Sequence, residues 1–334
     1  MEDLPRIAIT MGDPAGVGPE IIVKIFQNES AHEFCHPLVV GNAACLRKTA
    51  VQFAPSVSIH PITSPEEALF TPGTLDVLNL GNVPASLPIG QPGAEGGKVA
   101  VECIRTAVDL ALSQKVDAVT TAPISKESIH RAGFAYPGHT ELLAEYTGAE
   151  NVALMLAGDV LRVVLVTTHV PLDAVKPLIT RERIATTLRL THRWLIDHVT
   201  ESPRIAVTGF NPHCSDGSIF GEEEETAIVP AMETVRSAGI ETVGPFSADA
   251  LFSRLRPNQY DAVVAMYHDQ GMIPVKMANK GTAVNVTLGL PVIRTSVDHG
   301  TAFDIAGKGT ASPDSLKRAL RVAAQLAKPT PANP

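Results

Sequence analysis

The chain has 334 residues, 45% of them hydrophobic, and 27 Lys and Arg against 35 Asp and Glu give a formal net charge of −8. It is long enough to bury a large core or two lobes, and too apolar to be disordered. The acidic balance, without clustered Lys and Arg, excludes a nucleic-acid or anionic-membrane surface, so an anionic ligand must be met by a few local cations.

The N-terminus, MEDLPRIAIT, is acidic and lacks the apolar region of a signal peptide. Arg6 to Thr10 reads as a short strand running into Met11-Gly12-Asp13-Pro14-Ala15-Gly16-Val17-Gly18, and Pro19 suits the first turn of a helix to Phe26. Strand, glycine turn and helix together can face a phosphate, or the glycines can serve only the turn. The spacing is not GxGxxG, and the next strand, Pro37 to Val40, ends in Gly41-Asn42 without a ribose-binding acid, so a Rossmann domain is disfavoured. Residues 56–80 alternate as strands do, and Gly81 to Gly97 is a Pro- and Gly-rich connection. Val101, Ile104, Val108 and Leu112 mark a helix over 98–113, followed by a strand from Asp117 to Ala122. Ser125 is placed to cap a short helix, and Tyr136-Pro137-Gly138-His139-Thr140-Glu141 opens another. His139 and Thr140 there either offer donors to an anion or act as a surface residue and an N-cap.

Strands follow at 152–157 and 162–167; Asp159 and Arg162 interrupt this apolar zone before membrane-spanning length. An amphipathic helix occupies 181–199, a strand 204–208 and a helix 222–238. The run Glu222 to Glu225 falls in the first turn of that helix and reads as dipole capping and solvation. A buried strand over 261–267 breaks at His268-Asp269-Gln270-Gly271. Ser312 caps a final helix with Leu316, Leu320 and Ala323 inward, before a loose PTPANP tail. Cys35, Cys45, Cys103 and Cys214 form no CxxC pair, which reads as reduced thiols in a cytoplasmic protein rather than disulfides or a Cys-based zinc site. Strands alternating with helices define an α/β class with a mostly parallel sheet.

Three of the 11 histidines share one context. VVLVTTH ends at His169, IAVTGFNPH at His213 and AVVAMYH at His268, each just past an apolar strand. Ligands of open α/β sheets gather beyond the carboxyl ends of strands, so the three can converge on one site. Three imidazoles suit a divalent transition metal such as Zn²⁺, with positions left for substrate oxygens; one such histidine alone is more often a satisfied polar residue.

The runs MGDPAGVGPE (11–20), YPGHTE (136–141), TTH (167–169), NPH (211–213), YHDQG (267–271) and NVTLGLPVIRTSVDHGTA (285–302) resemble the 4-hydroxythreonine-4-phosphate dehydrogenase family. His299 to Gly309, HGTAFDIAGKG, is similar to the nucleotide-binding loop of isopropylmalate and isocitrate dehydrogenases, and GDPAGVGPE to their GDGIGPE segment. The resemblance implies two α/β/α subdomains of that type around an active-site cleft, with 1–120 plus 295–334 as the nucleotide lobe and 121–294 as the metal, substrate and dimer lobe. It implies His169, His213 and His268 as metal ligands, shared across a homodimer interface, with Zn or Mg, Co, Ni or Mn bound. Substrate contacts implied are His139, Thr140, Lys276, Asn285 and Arg294.

Gly300, Asp304 and Lys308 are the implied contacts to NAD or NADP. Lys276 and Asp269 are assigned the catalytic roles, Asp269 because it adjoins His268. The implied activity is oxidation, with decarboxylation, of a phosphorylated β-hydroxy acid, 4-phosphohydroxy-L-threonine, in pyridoxine biosynthesis. Cys214 to Ser218 after NPH, and MANKGTAV before Asn285, depart from the family's pattern, while AITMGDPAGVGPE, YPGHTELLA and IFGEEE look closer to a branch oxidising D-threonate or D-erythronate 4-phosphate. A dihydrodiol dehydrogenase, a metal hydrolase and a non-catalytic binding protein are the remaining readings; the 299–309 loop favours a dehydrogenase.

Overall fold

The computed structural model describes residues 4–27, 31–81, 83–136, 138–280 and 282–328. Pro137 of YPGHTE and the PTPANP tail, 329–334, fall outside them. The described chain forms two compact units, one of residues 4–149 and 290–328, the other of 150–289. In chain order the first unit begins with β1 (Arg6–Thr10), α1 (Gly18–Ile25), β2 (His36–Gly41), α2 (Ala43–Phe53), β3 (Ser58–Ile62), β4 (Thr74–Asn79), α3 (Ala94–Leu112), β5 (Ala118–Thr121), α4 (Lys126–Arg131) and α5 (His139–Thr147). The second holds β6 (Ala153–Ala157), β7 (Arg162–Leu165), α6 (Leu172–Val175), α7 (Arg181–His198), β8 (Ile205–Thr208), α8 (Val229–Arg236), β9 (Thr242–Phe246), α9 (Ala248–Arg254), β10 (Ala262–Ala265), α10 (His268–Asn279) and β11 (Val284–Leu288). The chain then returns to the first unit with β12 (Ile293–Ser296) and α11 (Asp314–Ala327).

In the first unit the strand order is β3-β4-β2-β1-β5-β12, every neighbouring pair parallel. Runs such as Ile7-Ala8-Ile9 and Leu38-Val39-Val40 are buried throughout, as expected for strands covered by helices on both faces. In the second unit the order is β11-β6-β7-β10-β8-β9. β6 pairs antiparallel with both β11 and β7, whereas β7, β10, β8 and β9 run parallel. β7, β10 and β8 therefore deliver their carboxyl ends, side by side, to one edge. The mostly parallel α/β class is the one the alternating pattern predicts.

Several expectations need correction. The first unit extends to residue 149 rather than 120, because α4 and α5 pack Ile129, Leu142 and Leu143 on Val101, Ile104 and Val108 of α3. Ser312 is not the cap of α11: Pro313 holds that place, and the Ser312 hydroxyl instead accepts from Asp314 N at 3.2 Å. Gly138, not Thr140, caps α5. The stretch after β10 does not merely break but starts α10 at His268. No helix among the described residues is long and apolar enough to cross a membrane.

Ile104 is fully buried in the α3–α5 cluster. Ile104→Ala should cost about 2–5 kcal/mol, read from urea unfolding; a loss near zero would mean that α4 and α5 are not packed on α3.

Candidate active site

The glycine turn after β1 is explained by close backbone packing. A Cβ on Gly12, at φ +73°, would lie 2.3 Å from Pro123 O, and one on Gly16 would lie 2.8 Å from Thr301 O. Val17 N donates to Thr301 O at 3.0 Å, so the turn carries the 299–309 loop. α1 fastens the other end of that loop. Glu20, 2% exposed, accepts from Gly309 N (3.3 Å) and Ala311 N (3.1 Å), and Lys24 Nζ donates to Gly309 O (2.9 Å) and Ala311 O (2.7 Å). Glu20 and Lys24 are themselves paired at 2.7 Å. Gly300, Asp304 and Lys308 are exposed on this held loop. Beside it lies a cavity of about 240 Å³, lined by Gly16, Pro19, Cys45, Lys48, Phe53 and Gly307 among others.

The first unit also brings His139 to Arg294. Arg294 stands within β12, 2% exposed, and its Nη2 donates to Thr121 Oγ1 at 2.6 Å. Burial pushes its guanidinium down to about 9. Burial first, and then the Arg294 charge, holds the His139 imidazole well below its ordinary 6.5, while the Ala122 backbone pulls the other way. His139 as a residue is half-buried, yet its Nε2 is buried and has no hydrogen-bond partner among the described residues. It is therefore no surface residue but a neutral ring with an unused nitrogen next to a buried cation. Thr140 follows it, half-buried, in the first turn of α5.

In the second unit the three histidines follow the three adjacent strand ends. Val166 N and Thr167 N donate to Ala265 O and Met266 O, and Thr167 Oγ1 donates to Met266 O at 2.7 Å, tying the chain after β7 to that after β10. His169 and His268 accordingly lie with ring centroids 5.4 Å apart. His268 Nδ1 donates to Asp269 Oδ1 at 2.7 Å, which leaves Nε2 as its free ligand position. Gln270 braces β8 against β10: its Oε1 accepts from Thr208 Oγ1 and Met266 N, both at 2.7 Å, and its Nε2 donates to Gly209 O at 2.7 Å.

His213 is held apart on a loop after β8, its ring 6.4 Å from Phe220. Among the described residues no three His, Cys, Asp or Glu side chains group closely enough to hold a metal ion. The imidazole donors of His169 and His268 fit a divalent transition metal in kind, and a third donor must come from elsewhere. Of the other expected contacts, Lys276 is exposed on α10, about 12 Å along the axis from His268. Asn285 is half-buried in β11, opposite Leu156 of β6.

Sequence reasoning misread Glu223 and Glu224. Both are buried, at 8% and 3% exposure, in and just before a π-helical turn, Glu224–Ile228, that leads into α8. Burial alone would raise the Glu224 carboxyl, but hydrogen bonds from Ser215, Asn211 and the Asn211 backbone outweigh it and hold it below the usual range. Asp249 was also missed. It lines a cavity of about 560 Å³ with His213, Tyr267, Asp269, Gln270 and Ile273, and its carboxyl is lowered by Ser247 and the Ala250 backbone first, and also by His213. Its only sequence signal was a position after a strand.

The parallel strands, the buried cation and the histidine-bearing edge are the features of an α/β enzyme, and the comparisons with known proteins give its class. A model of the family described as "Pyridoxal phosphate biosynthetic protein PdxA" matches residues 33–323. The chain is 47% identical over 330 residues to a 4-hydroxythreonine-4-phosphate dehydrogenase of Trichlorobacter lovleyi, covering 97% of this chain and 98% of that one. It is equally 47% identical, over 326 residues, to a D-threonate 4-phosphate dehydrogenase of Cupriavidus necator, covering 97% and 98%. The crystal structure of a 4-hydroxythreonine-4-phosphate dehydrogenase from Klebsiella pneumoniae, 43% identical, superposes with a TM-score of 0.90 over 97% of this chain and 100% of that one. The chain belongs to the PdxA family, and it is an enzyme acting on a CH–OH group.

A neutral buried His139 contributes stability that is present above its unfolded-state pKa of ~6.5 and is lost as pH falls below that value. His139→Asn should therefore flatten the fall of Tm below about pH 6.5. Parallel Tm-against-pH curves for the variant and the parent would contradict the assignment.

Proposed function

We propose that the chain is a metal-dependent, NAD(P)-linked dehydrogenase that oxidises and decarboxylates 4-phosphohydroxy-L-threonine to 3-amino-2-oxopropyl phosphate. The observation carrying this reading is the pairing of His169 with His268 beyond adjacent parallel strands in a chain of the PdxA family. D-Threonate or D-erythronate 4-phosphate, giving dihydroxyacetone phosphate and CO₂, is the second reading, favoured by the equal identity to a relative of that name.

His169 and His268 of one protomer, with His213 of a second copy, hold a divalent cation, Zn²⁺ or else Mg²⁺, Co²⁺, Ni²⁺ or Mn²⁺. A divalent cation held there would supply Lewis-acid polarisation of the substrate's reacting oxygen. Asp269 orients His268, and with Lys276 it handles the proton of the reacting hydroxyl. Arg294, with Thr140 and with His139 once the substrate's charge protonates it, takes the anionic group of the substrate, and Asn285 is a separate substrate contact on the other unit. The unit of residues 4–149 and 290–328 is the nucleotide side, with Gly300, Asp304 and Lys308 on the loop that α1 fastens. The unit of residues 150–289 is the metal and dimer side. Its exposed Ile219 and Phe220, on the His213 loop, and Ile273 and Met277, on the His268 helix, support a partner surface in the second copy.

NADH formation with the three phosphorylated acids and a cis-dihydrodiol, with and without chelator, tests the activity. Metal-dependent turnover of the phosphohydroxythreonine is expected; turnover of none of them would return the site to a hydrolase or binding role. Sharing of the site is read by mixing inactive His213→Ala and His268→Ala subunits, which should recover about a quarter of parental activity through hybrid dimers. No recovery would mean that both ligands come from one subunit.

A further inference from the structure

We infer that Glu224 is the positioning residue for His213, holding the 211–218 loop in the conformation in which the imidazole serves as a ligand; this rests on the three-histidine reading above. The loop does not fit ordinary backbone preferences. His213, Cys214, Ser215, Asp216 and Ser218 all have positive φ, at 53°, 52°, 67°, 45° and 69°. L-residues visit this left-handed region singly, not in runs, so such a loop persists only where its surroundings over-determine it.

Glu224 supplies that determination. Its Oε1 accepts from Phe210 N and Asn211 N, both at 2.7 Å, and its Oε2 accepts from Asn211 Nδ2 at 2.8 Å and from the Ser215 hydroxyl. These donors lie on both sides of His213 in the chain, so one buried carboxylate pins the loop before and after the ligand. The π-helical turn brings Glu223 to the same loop, where its Oε2 accepts from Asn211 Nδ2 at 2.7 Å while its Oε1 meets Lys176 Nζ at 2.6 Å. Among the described residues the hydrogen bond Glu223 makes to the loop is the one from Asn211 Nδ2, which makes it the internal comparison. A buried acid that served packing alone would not need to collect donors flanking a single histidine.

Glu224→Gln keeps the shape but turns an NH₂ group towards N–H or O–H donors, which releases one end of the loop. In the full-length protein, Co²⁺ or Zn²⁺ affinity is measured by competition with a chromophoric chelator, with Tm followed in parallel. Glu224→Gln should weaken metal binding about 10–100-fold, the range found when partners of metal ligands are removed. Turnover should return at saturating metal, with KM for NAD unchanged, and Glu223→Gln should have the smaller effect. A folded Glu224→Gln with parental metal affinity, beside a His213→Ala that has lost it, overturns the inference while leaving the three-histidine site standing. Metal affinity unchanged in His213→Ala itself defeats the site. If Glu224→Gln does not fold, Ser215→Ala, which removes one donor, takes its place: weakened metal binding supports the inference and unchanged binding overturns it.

Discussion

The parallel alignment of β7, β10 and β8 is the constraint on which the second unit's chemistry depends. Val263 stands opposite both Val163 and Ala206, so the three strands end level with one another. Each then releases its chain on the same edge, where the next residues are free of the ladder but still tied to one another. Thr167 accounts for one such tie and Gln270 for another, and both satisfy backbone groups that would otherwise lose their partners where the sheet stops. β6 alone points its carboxyl end to the opposite edge, since β11, antiparallel to β6, runs the same way as β7. Only parallel neighbours can gather three loops in this way.

The two units hold their functional loops by the same physical means. A rigid helix or turn presents a buried polar side chain that reads loop backbone: Glu20 takes the amides of Gly309 and Ala311, Glu224 takes those of Phe210 and Asn211, and Gln270 takes that of Met266. A buried carboxylate costs desolvation, and each of these acids meets that cost with several short donors. The outer faces of the loops are thereby left exposed. Lys24 adds the complementary half at α1 by donating to the carbonyls of the same two residues that Glu20 holds by their amides.

Much of this was legible in the sequence because it is written in short-range pattern. Apolar runs of four to six residues gave β1, β2, β5, β7, β8 and β10 nearly to the residue, and the histidines just past them marked the edge before any contact was known. Glu224 was not legible, since acids in a first helical turn are ordinarily solvated, and only the folded loop in front of α8 turns them inward. His139 and Arg294 were both expected as substrate contacts, but their pairing across 155 residues of sequence was not legible in local pattern. The extent of the first unit was misjudged because α4 and α5 look like a connection, whereas their apolar residues belong to the α3 cluster. What local pattern cannot carry is the choice of partner made by tertiary packing.

That choice matters most at Arg294 and His139. If, as proposed, this chain of net charge −8 takes an anionic substrate, positive charge has to be concentrated at one place, and a guanidinium buried within a strand does so at a cost in desolvation. Burial lowers the Arg294 guanidinium to about 9, still above neutral pH, so the arginine keeps its charge. The same burial, together with that charge, forbids a second cation and leaves His139 neutral. An arriving anion acts in the opposite direction on both groups, because a nearby negative charge favours every protonated form. With Nδ1 engaged by the Ala122 backbone, the neutral His139 ring offers its spare Nε2 only as an acceptor, and on the proposed reading it becomes a donor only when the substrate's own charge favours its protonation.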